Sequence, residues 1–240
     1  RIGVTSDIDS TNPFAGINEI AYAVWMHIYP SLLQYDTADP GAPYKGSLAE
    51  EWKLAEDGLT LTFKLRQGAT WSDGEPLDAE DVVWSLNLFR DYNETVASGW
   101  SVGSSITSIT APDAHTVVLT MAEPSALSLT NVATTPLLPE QVWGEYATGD
   151  GDGLKPFDNV PVEGKPMVSG GPFVMTQYRK GELAVFEANP NWYGDKPSIG
   201  GFGVQTYKVA DTMITALASG NIDAASGIPP TGLETLEKAG

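Results

Sequence analysis

The sequence of 240 residues contains no cysteine, only two histidines and only 13 basic residues. Without cysteine there can be no disulfide, thiolate nucleophile or cysteine-ligated metal site. No stretch approaches the roughly 18 to 20 apolar residues of a membrane-spanning helix, and the start at Arg1 lacks the pattern of a signal peptide. The 31 acidic residues bring the formal net charge to −18. We therefore expect no nucleic-acid partner, because phosphate recognition needs clustered cations.

Neither histidine lies in a pattern typical of acid–base catalysis. His27 belongs to an apolar run that predicts a packed helix residue, and His115 belongs to a predicted turn. The segment G-W-S-V-G at 99–103 matches a serine-nucleophile pattern, but that pattern requires a preceding strand, a following helix and a later Asp and His. The sequence therefore predicts no catalytic residue.

An acidic segment, D-G-D-G at 150–153, begins like a calcium loop. The pattern then fails, because Leu154 and Pro161 occupy positions where an EF-hand needs oxygen ligands. We expect no metal and no cofactor. A pair of carboxylates for glycoside hydrolysis stays open, because the sequence does not give the distance between acidic side chains.

Apolar spacing predicts three helices. The first follows Asn18 as its N-cap and is limited by Pro30. The second follows the N-cap Asp78, and the third follows the N-cap Asp211 and ends at Gly220. The predicted buried stripes are Ile20, Val24, Ile28 and Leu32; Val82, Leu86 and Phe89; and Met213, Ile214 and Leu217.

Period-two alternation predicts strands. Apolar and polar residues alternate over 59–65, after a hairpin turn at 56–58. Two further hairpins pair 108–111 with 116–121 and 172–179 with 182–188. Other predicted strands lie at 1–8, 203–209 and 222–225 (a short buried strand), and predicted loops lie at 34–46 and 148–171. Strands that alternate with helices and hairpins favour a mixed α/β (α+β) fold.

Several segments along the chain are similar to the landmarks of one protein family. They are D-S-T-N-P-F at 9–14, S-L-A-E-E-W at 47–52, D-G-L-T-L-T-F-K-L-R at 57–66, W-S-D-G-E-P-L at 71–77, A-E-D-V-V-W-S-L at 79–86, G-G-P-F at 170–173, N-P-N-W-Y at 189–193 and A-L-A-S-G-N-I-D at 216–223. In this order they resemble the extracytoplasmic solute-binding proteins of bacterial ABC importers. The resemblance is to the peptide/nickel-type family, which includes dipeptide- and oligopeptide-binding proteins.

The resemblance implies the fold and its division. It implies a type II periplasmic-binding-protein-like lobe with a main subdomain of residues 1–33 plus 166–240. An inserted, hairpin-rich subdomain would span residues 34–165. Members of the family are about twice this length, so the resemblance also implies that a second lobe is absent from this chain.

The resemblance further implies a function without catalysis. The protein would be a monomer that captures a small solute, a dipeptide or oligopeptide, outside the cytoplasm and delivers it to the permease subunits of an ABC importer. It would be periplasmic or a cell-surface lipoprotein. An oligosaccharide or a nickel complex stays open as the ligand, and a glycoside hydrolase with two carboxylates stays open as the alternative function.

The resemblance also implies that two loops face the ligand cleft. The first contributes Gly16, Ile17 and Asn18, and the second contributes Ser98, Gly99, Trp100 and Ser101. Trp100 is expected either to form a wall that stacks on the ligand or to pack between the subdomains. In the family, the charged groups that anchor a peptide's termini lie mostly on the second lobe.

Overall fold

The computed structural model describes residues 1–36, 38–39, 44–92, 100, 102–103, 105–125 and 127–239, with side chains to residue 237. Within these residues the strands are β1 (Ile2–Val4), β2 (Leu33–Tyr35), β3 (Tyr44–Gly46), β4 (Ala49–Leu54), β5 (Thr60–Leu65), β6 (Ile106–Asp113), β7 (Thr116–Met121), β8 (Phe173–Arg179), β9 (Leu183–Ala188), β10 (Gly201–Thr206) and β11 (Ala224–Ala225). The helices are α1 (Glu19–Ile28), α2 (Ala79–Asp91), α3 (Ser128–Ala133), α4 (Glu140–Trp143), α5 (Ala210–Ala218) and α6 (Pro230–Ala239). No helix in these ranges combines the length and apolar character that crossing a lipid bilayer requires.

A five-stranded mixed sheet joins the two ends of the chain in the order β11-β1-β10-β9-β8. The first strand, β1, pairs in parallel with both β10 and β11. The predicted hairpin of β8 and β9 is confirmed, with Gly181 in its turn at a φ of 74°. Helix α1 contacts β8, whereas α5 contacts β1 and β11. The sheet therefore needs residues from far apart in the sequence.

A second, antiparallel sheet has the order β4-β5-β7-β6. Its two central strands place Leu61 opposite Leu119 and Phe63 opposite Val117, and all four side chains are buried. Helix α2 contacts β6 and β7. The period-two prediction for 59–65 and the hairpin prediction for 108–121 are confirmed, because alternate side chains point to one face of a strand.

The start of α2 confirms the predicted cap. Asp78 accepts a hydrogen bond from the backbone N–H of Glu80 at 2.8 Å, and Asp81 accepts one from the backbone N–H of Asp78 at 2.9 Å. Asp81 also accepts from Trp71 Nε1 at 3.3 Å. Burial raises the pKa of Asp81. The predicted stripe of Val82, Leu86 and Phe89 is fully buried.

Helix α1 ends at Ile28, because Tyr29 is extended and Pro30 follows. The predicted stripe is therefore partly wrong: Leu32 is buried but lies beyond the helix, and Ile20 is only half-buried. The helix instead buries Ala21 and Trp25 besides Val24 and Ile28.

The predicted loop at 34–46 is wrong, because β2 and β3 form a two-stranded ribbon there. Each strand has three residues, too few to show a period, and the cross-strand pair of Tyr35 and Tyr44 stabilises the ribbon with ring centroids 5.4 Å apart. The short helices α3 and α4 were also not predicted.

Two predictions near the C-terminus need correction. Helix α5 has Val209 as its N-cap, so Asp211 lies in the first turn instead of capping it. In the segment 222–225 only Ala224–Ala225 forms a strand, and this edge strand is not buried. The buried residue of that segment is Ile222.

A continuous hydrophobic core connects the two larger sheets. Phe14, in the turn before α1, stacks on Phe89 of α2 with ring centroids 4.8 Å apart. The strands of the five-stranded sheet lie in residues 2–4 and 173–225, and those of the four-stranded sheet lie in 49–121. The division into subdomains 1–33 plus 166–240 and 34–165 stays a prediction.

Candidate functional site

The turn of residues 9–18 holds the first loop that was predicted to face a ligand. Asp9 Oδ2 accepts hydrogen bonds from the backbone N–H groups of Ile17 at 2.8 Å and Asn18 at 3.2 Å. An aspartate side chain can in this way replace a backbone partner and close a turn. The backbone that leads into α1 is therefore held by a side chain only a few residues upstream.

The same turn is tied to residues distant in the sequence. The buried Asn12 donates from Nδ2 to the carbonyl oxygens of Leu154 at 2.6 Å and Phe157 at 2.5 Å. Asp158 accepts from the backbone N–H of Thr11 at 3.2 Å. Because these polar groups are paired in a low-dielectric region, each lost partner would leave another group unsatisfied.

Tyr29 closes the turn from the side of the core. Its hydroxyl donates to the carbonyl oxygen of Thr11 at 2.9 Å. Burial raises the pKa of Tyr29 well above the usual range of tyrosine. The phenol therefore remains protonated, and it acts as a donor to the turn.

The three residues of the first predicted loop differ from one another in burial. Gly16 is buried, and a Cβ built on it would lie 2.6 Å from Trp25 Cζ2. Ile17 is 65% exposed. Asn18 is half-buried, and its side chain makes no capping hydrogen bond to α1. A contact between these residues and a ligand stays a prediction, and for Gly16 the structure shows a packing role.

In the second predicted loop, Ser98, Gly99 and Ser101 lie outside the described residues. Trp100 is half-buried, and its ring centroid lies 6.0 Å from that of Tyr22 on α1. The Tyr22 ring in turn lies 4.7 Å from Trp25, the residue that covers Gly16. Helix α1 therefore brings the two predicted loops into one continuous group of contacts.

A cleft of about 420 Å³ opens beside α1. Helix α1 lines it with Trp25, Met26 and His27, and Trp100 lines it as well. The β2–β3 ribbon borders the cleft, and its lining residues are Leu33, Gln34, Tyr35 and Lys45. Trp100 thus contacts α1, as expected for a packing residue, and also lines the cleft, as expected for a wall of the ligand site. The stacking of Trp100 on a ligand stays a prediction.

The contributions of the ribbon and of Met26 to the cleft were not predicted from the sequence. The ribbon residues were missed because 34–46 was predicted to be a loop. The exposure of Met26 could have been predicted, because α1 is apolar on nearly all faces, whereas a helix on a protein surface normally has one polar face. Met26 is 66% exposed, so an apolar face of α1 reaches the cleft.

His27 packs as predicted. Its ring centroid lies 6.0 Å from Phe173 and 5.5 Å from Phe202, and its Nδ1 is 2.7 Å from the carbonyl oxygen of Ala23. His115 lies in the turn between β6 and β7, also as predicted. The described side chains include no group of three or more His, Cys, Asp or Glu that could hold a metal ion.

The charged residue that lines the cleft is basic, whereas the chain as a whole is strongly acidic. Among the described residues, no Asp or Glu lines the cleft, and Lys45 is the one lining residue with a permanent charge. A mechanism with two carboxylates would need both of them at the reacting bond. The described lining of the cleft therefore supplies no such pair of carboxylates.

Comparison with known proteins gives a family match. The family described as "Bacterial extracellular solute-binding proteins, family 5 Middle" matches residues 43–240. Protein XP55 of Streptomyces lividans is 33% identical over 238 residues, which are 99% of this chain and 40% of that protein. The probable D,D-dipeptide-binding periplasmic protein DdpA of Escherichia coli K12 is 28% identical over 99% of this chain and 45% of its own length.

Solved structures share the fold. The ABC transporter substrate-binding protein CtaP of Listeria monocytogenes matches with a TM-score of 0.82 and 24% identity, over 99% of this chain and 46% of that one. The periplasmic binding protein DppA of Helicobacter pylori, in complex with the peptide STSA, matches with a TM-score of 0.80 and 23% identity, over 99% of this chain and 48% of that one. The predicted fold class, a type II periplasmic-binding-protein-like lobe, is confirmed. This chain spans less than half the length of each of these proteins.

Proposed function

The chain belongs to family 5 of the bacterial extracellular solute-binding proteins, and from this premise we propose that it forms one lobe of the capture protein of an ABC importer. The proposed solute is a dipeptide or oligopeptide. The protein binds it outside the cytoplasm as a monomer, without chemical conversion, and delivers it to the permease subunits. A periplasmic location and a lipid anchor on the cell surface are both compatible with this role.

The cleft beside α1 is the observation that carries the proposal. Trp100 of the second predicted loop lines it, and its wall exposes large apolar side chains. Met26 is 66% exposed and Tyr35 is 54% exposed. Apolar groups that share one concave surface typically mark a ligand or partner site. A second lobe that closes on the cleft would cover them together with the solute, by the hinge motion common in such proteins.

The turn of residues 9–18 supports the same role. Binding costs less free energy when the groups around the ligand are already ordered. The hydrogen bonds of Asp9, Asn12 and Asp158 order this turn before any ligand arrives. The segment that leads into α1, the helix that lines the cleft, is therefore already ordered.

A peptide is favoured over the other candidate ligands by the relatives' descriptions. DdpA is described as a probable D,D-dipeptide-binding protein, and the DppA structure holds the peptide STSA. NikZ of Campylobacter jejuni, in complex with Ni(L-His), shares the fold with a TM-score of 0.76 at 24% identity. A nickel chelate and an oligosaccharide therefore belong among the ligands to be tested.

The test is thermal unfolding of the protein, extended to the length of its relatives, in the presence of dipeptides, longer peptides, oligosaccharides and the nickel–histidine chelate. A ligand at 100 times its Kd adds about 2.7 kcal/mol to the free energy of unfolding. We expect peptides to raise the Tm. A shift with another class alone would reject the peptide, and hydrolysis of a glycoside panel would reject the capture function.

A matched pair of tryptophan variants locates the site. Trp100→Leu is expected to weaken peptide binding about tenfold or more, because a large aromatic contact at the cleft is lost. Trp192→Leu alters a tryptophan that is not a lining residue of the cleft and that donates to the carbonyl oxygen of Asp195. Equal affinities of the two variants would place the ligand away from Trp100.

A further inference from the structure

The β2–β3 ribbon carries an unusual local charge for this chain. The protein has 31 acidic and 13 basic residues, yet in the described part of the cleft the one permanent charge is the positive charge of Lys45. Lys45 is exposed. No ion pair of Lys45 occurs among the described residues. Lys45 has no carboxylate partner in the described part of a chain of net charge −18, so it leaves a positive charge beside the cleft.

Gln34 lies directly opposite Lys45 in the antiparallel ribbon. Side chains of such cross-strand pairs share one face of the ribbon, with Cβ atoms about 5 Å apart. Within the described part of the chain, the side-chain amide of Gln34 has no hydrogen-bond partner, and both residues line the cleft. An ammonium group and an amide N–H at this spacing can donate together to the two oxygens of one carboxylate.

The acidic residue nearest to Gln34 in the sequence forms no ion pair with Lys45. Asp36 follows β2 directly, and its Oδ1 accepts a hydrogen bond from the backbone N–H of Ala38 at 2.9 Å. The carboxylate of Asp36 is therefore engaged in its own turn, and it does not line the cleft.

An apolar wall adjoins the charged pair. It consists of Met26 and Trp100, which line the same cleft. In addition, Trp100 Nε1 is buried and has no hydrogen-bond partner among the described residues. The cleft thus combines the donors of Lys45 and Gln34 with an apolar surface, and none of its lining residues in the described part of the chain is anionic.

We infer that the captured solute carries a carboxylate next to an apolar or aromatic group, with the carboxylate bound by Lys45 and Gln34 and the apolar group held against Met26 and Trp100. This inference rests on the proposed function. It assigns to this lobe a recognition role of its own, whatever charged groups a second lobe supplies. A peptide with an apolar C-terminal residue has the required chemistry.

The test is calorimetric titration of the protein, at the length of its relatives, with alanyl-phenylalanine and with its C-terminal amide. A charge-assisted hydrogen bond to the carboxylate should make the acid bind about tenfold more tightly than the amide at low salt. Lys45→Met keeps the length of the side chain and removes its charge, so it should reduce this ratio to about threefold or less. Lys45→Arg should retain most of it, because the charge remains.

Two controls separate a local contact from a general charge effect. Lys53→Met removes an exposed positive charge from β4, outside the cleft, and should leave the acid-to-amide ratio unchanged. Replacing phenylalanine by serine in the probe should weaken binding to the wild type and should have much less effect on Trp100→Leu. The side chains of Lys53 and Trp100 are not fully buried, so Lys53→Met and Trp100→Leu should both fold.

Each outcome decides the inference. A ratio that is lost in Lys45→Met and kept in Lys53→Met supports it. Equal binding of acid and amide, or a preference for the acid that survives in Lys45→Met, overturns it and leaves peptide capture standing. Absence of saturable binding of either probe and of longer peptides overturns peptide capture itself, and the inference with it.

Discussion

The turn before α1 and the ribbon after it are built in opposite ways. In the turn of residues 9–18, the polar side chains of Asp9 and Asn12 are engaged by hydrogen bonds inside the protein. In the β2–β3 ribbon, Gln34 and Lys45 have no such partners among the described residues, and Tyr35 is 54% exposed. The comparison teaches that one helix can separate a region that stabilises the fold from a region available to a ligand.

The physical reason is that a polar group cannot serve both purposes at full strength. A buried group that loses its internal partner costs about 1 to 3 kcal/mol. An exposed polar group forms hydrogen bonds with water when no ligand is bound, so the absence of a ligand costs the folded protein little free energy. Substitutions in the turn should therefore change stability, whereas substitutions in the ribbon should change binding.

The largest effect on stability is expected for Asn12→Ala. The side chain is fully buried, accepts from the backbone N–H of Phe14 at 2.7 Å and donates to the carbonyl oxygens of Leu154 and Phe157. Its removal leaves these groups without partners, so we expect a loss of about 3 kcal/mol in the free energy of unfolding. Urea denaturation measures it. Gln34→Ala in the ribbon is the control, and an equal loss there would contradict the comparison.

A smaller loss is expected for Gly16→Ala. The new Cβ would lie 2.6 Å from Trp25 Cζ2, and Trp25 is held by a hydrogen bond from its Nε1 to the carbonyl oxygen of Ser10 at 3.3 Å. Overpacking of this kind costs about 1 to 3 kcal/mol. Gly200→Ala is the matched control, because a Cβ there meets no atom within 4 Å. Thermal unfolding that shows no difference between the two variants would mean that Trp25 moves freely.

Tyr29→Phe should cost about 1 kcal/mol at neutral pH, because the hydrogen bond to Thr11 is lost. Its pH dependence has a definite sign. The raised pKa of Tyr29 keeps the folded state protonated, whereas the unfolded chain ionises near pH 10, so the stabilisation is present below about pH 10 and is lost above it.

The measurement is the free energy of unfolding between pH 8 and pH 11 (about one unit beyond the ordinary tyrosine pKa). The wild type should lose more stability over this interval than Tyr29→Phe. Tyr35→Phe, at the exposed ribbon, should change the stability at neutral pH by about 0.5 kcal/mol or less. Parallel curves for the wild type and Tyr29→Phe would show that the phenol of Tyr29 is not protected by burial.

The smallest effect on stability is expected for Lys45→Met. The side chain is exposed and forms no ion pair with the described residues, so the free energy of unfolding should change by about 0.5 kcal/mol or less. The same variant should lose affinity for an apolar peptide with a free carboxylate. A large loss of stability would show that Lys45 belongs to the structural region, and the distinction between turn and ribbon would fail.

Much of the fold could be predicted because its signals are local. The alternation over 59–65 and the cap at Asp78 each depend on neighbouring residues, and the structure confirms both. The helix end before Pro30 is of the same kind. Asp211 was predicted to be the N-cap of α5 but lies two positions after it, in the first turn, because Asp is favourable at both places.

The candidate site was predictable only in part. The turn at 9–13 was predicted from its run of turn-forming residues. Trp100 was predicted to face the cleft from the family resemblance, and it lines the cleft, whereas its contact with a ligand stays a prediction. Gln34, Tyr35 and Lys45 could not be found, because three-residue strands show no period and their pairing depends on contacts across the loop that joins them. The partners of Asn12 at Leu154 and Phe157 were hidden for a similar reason, since no pattern links residues so far apart.

Residue order and neighbours within a few positions were enough to predict the class of the fold, the family, the hairpins and the capped helix. Contacts between distant residues set which side chains meet at the cleft, which carboxylates accept hydrogen bonds within the fold and which charge has no partner among the described residues. A net charge of −18 describes the chain as a whole. The local charge at a site depends on distances between residues that are remote in the sequence, and folding alone sets those distances.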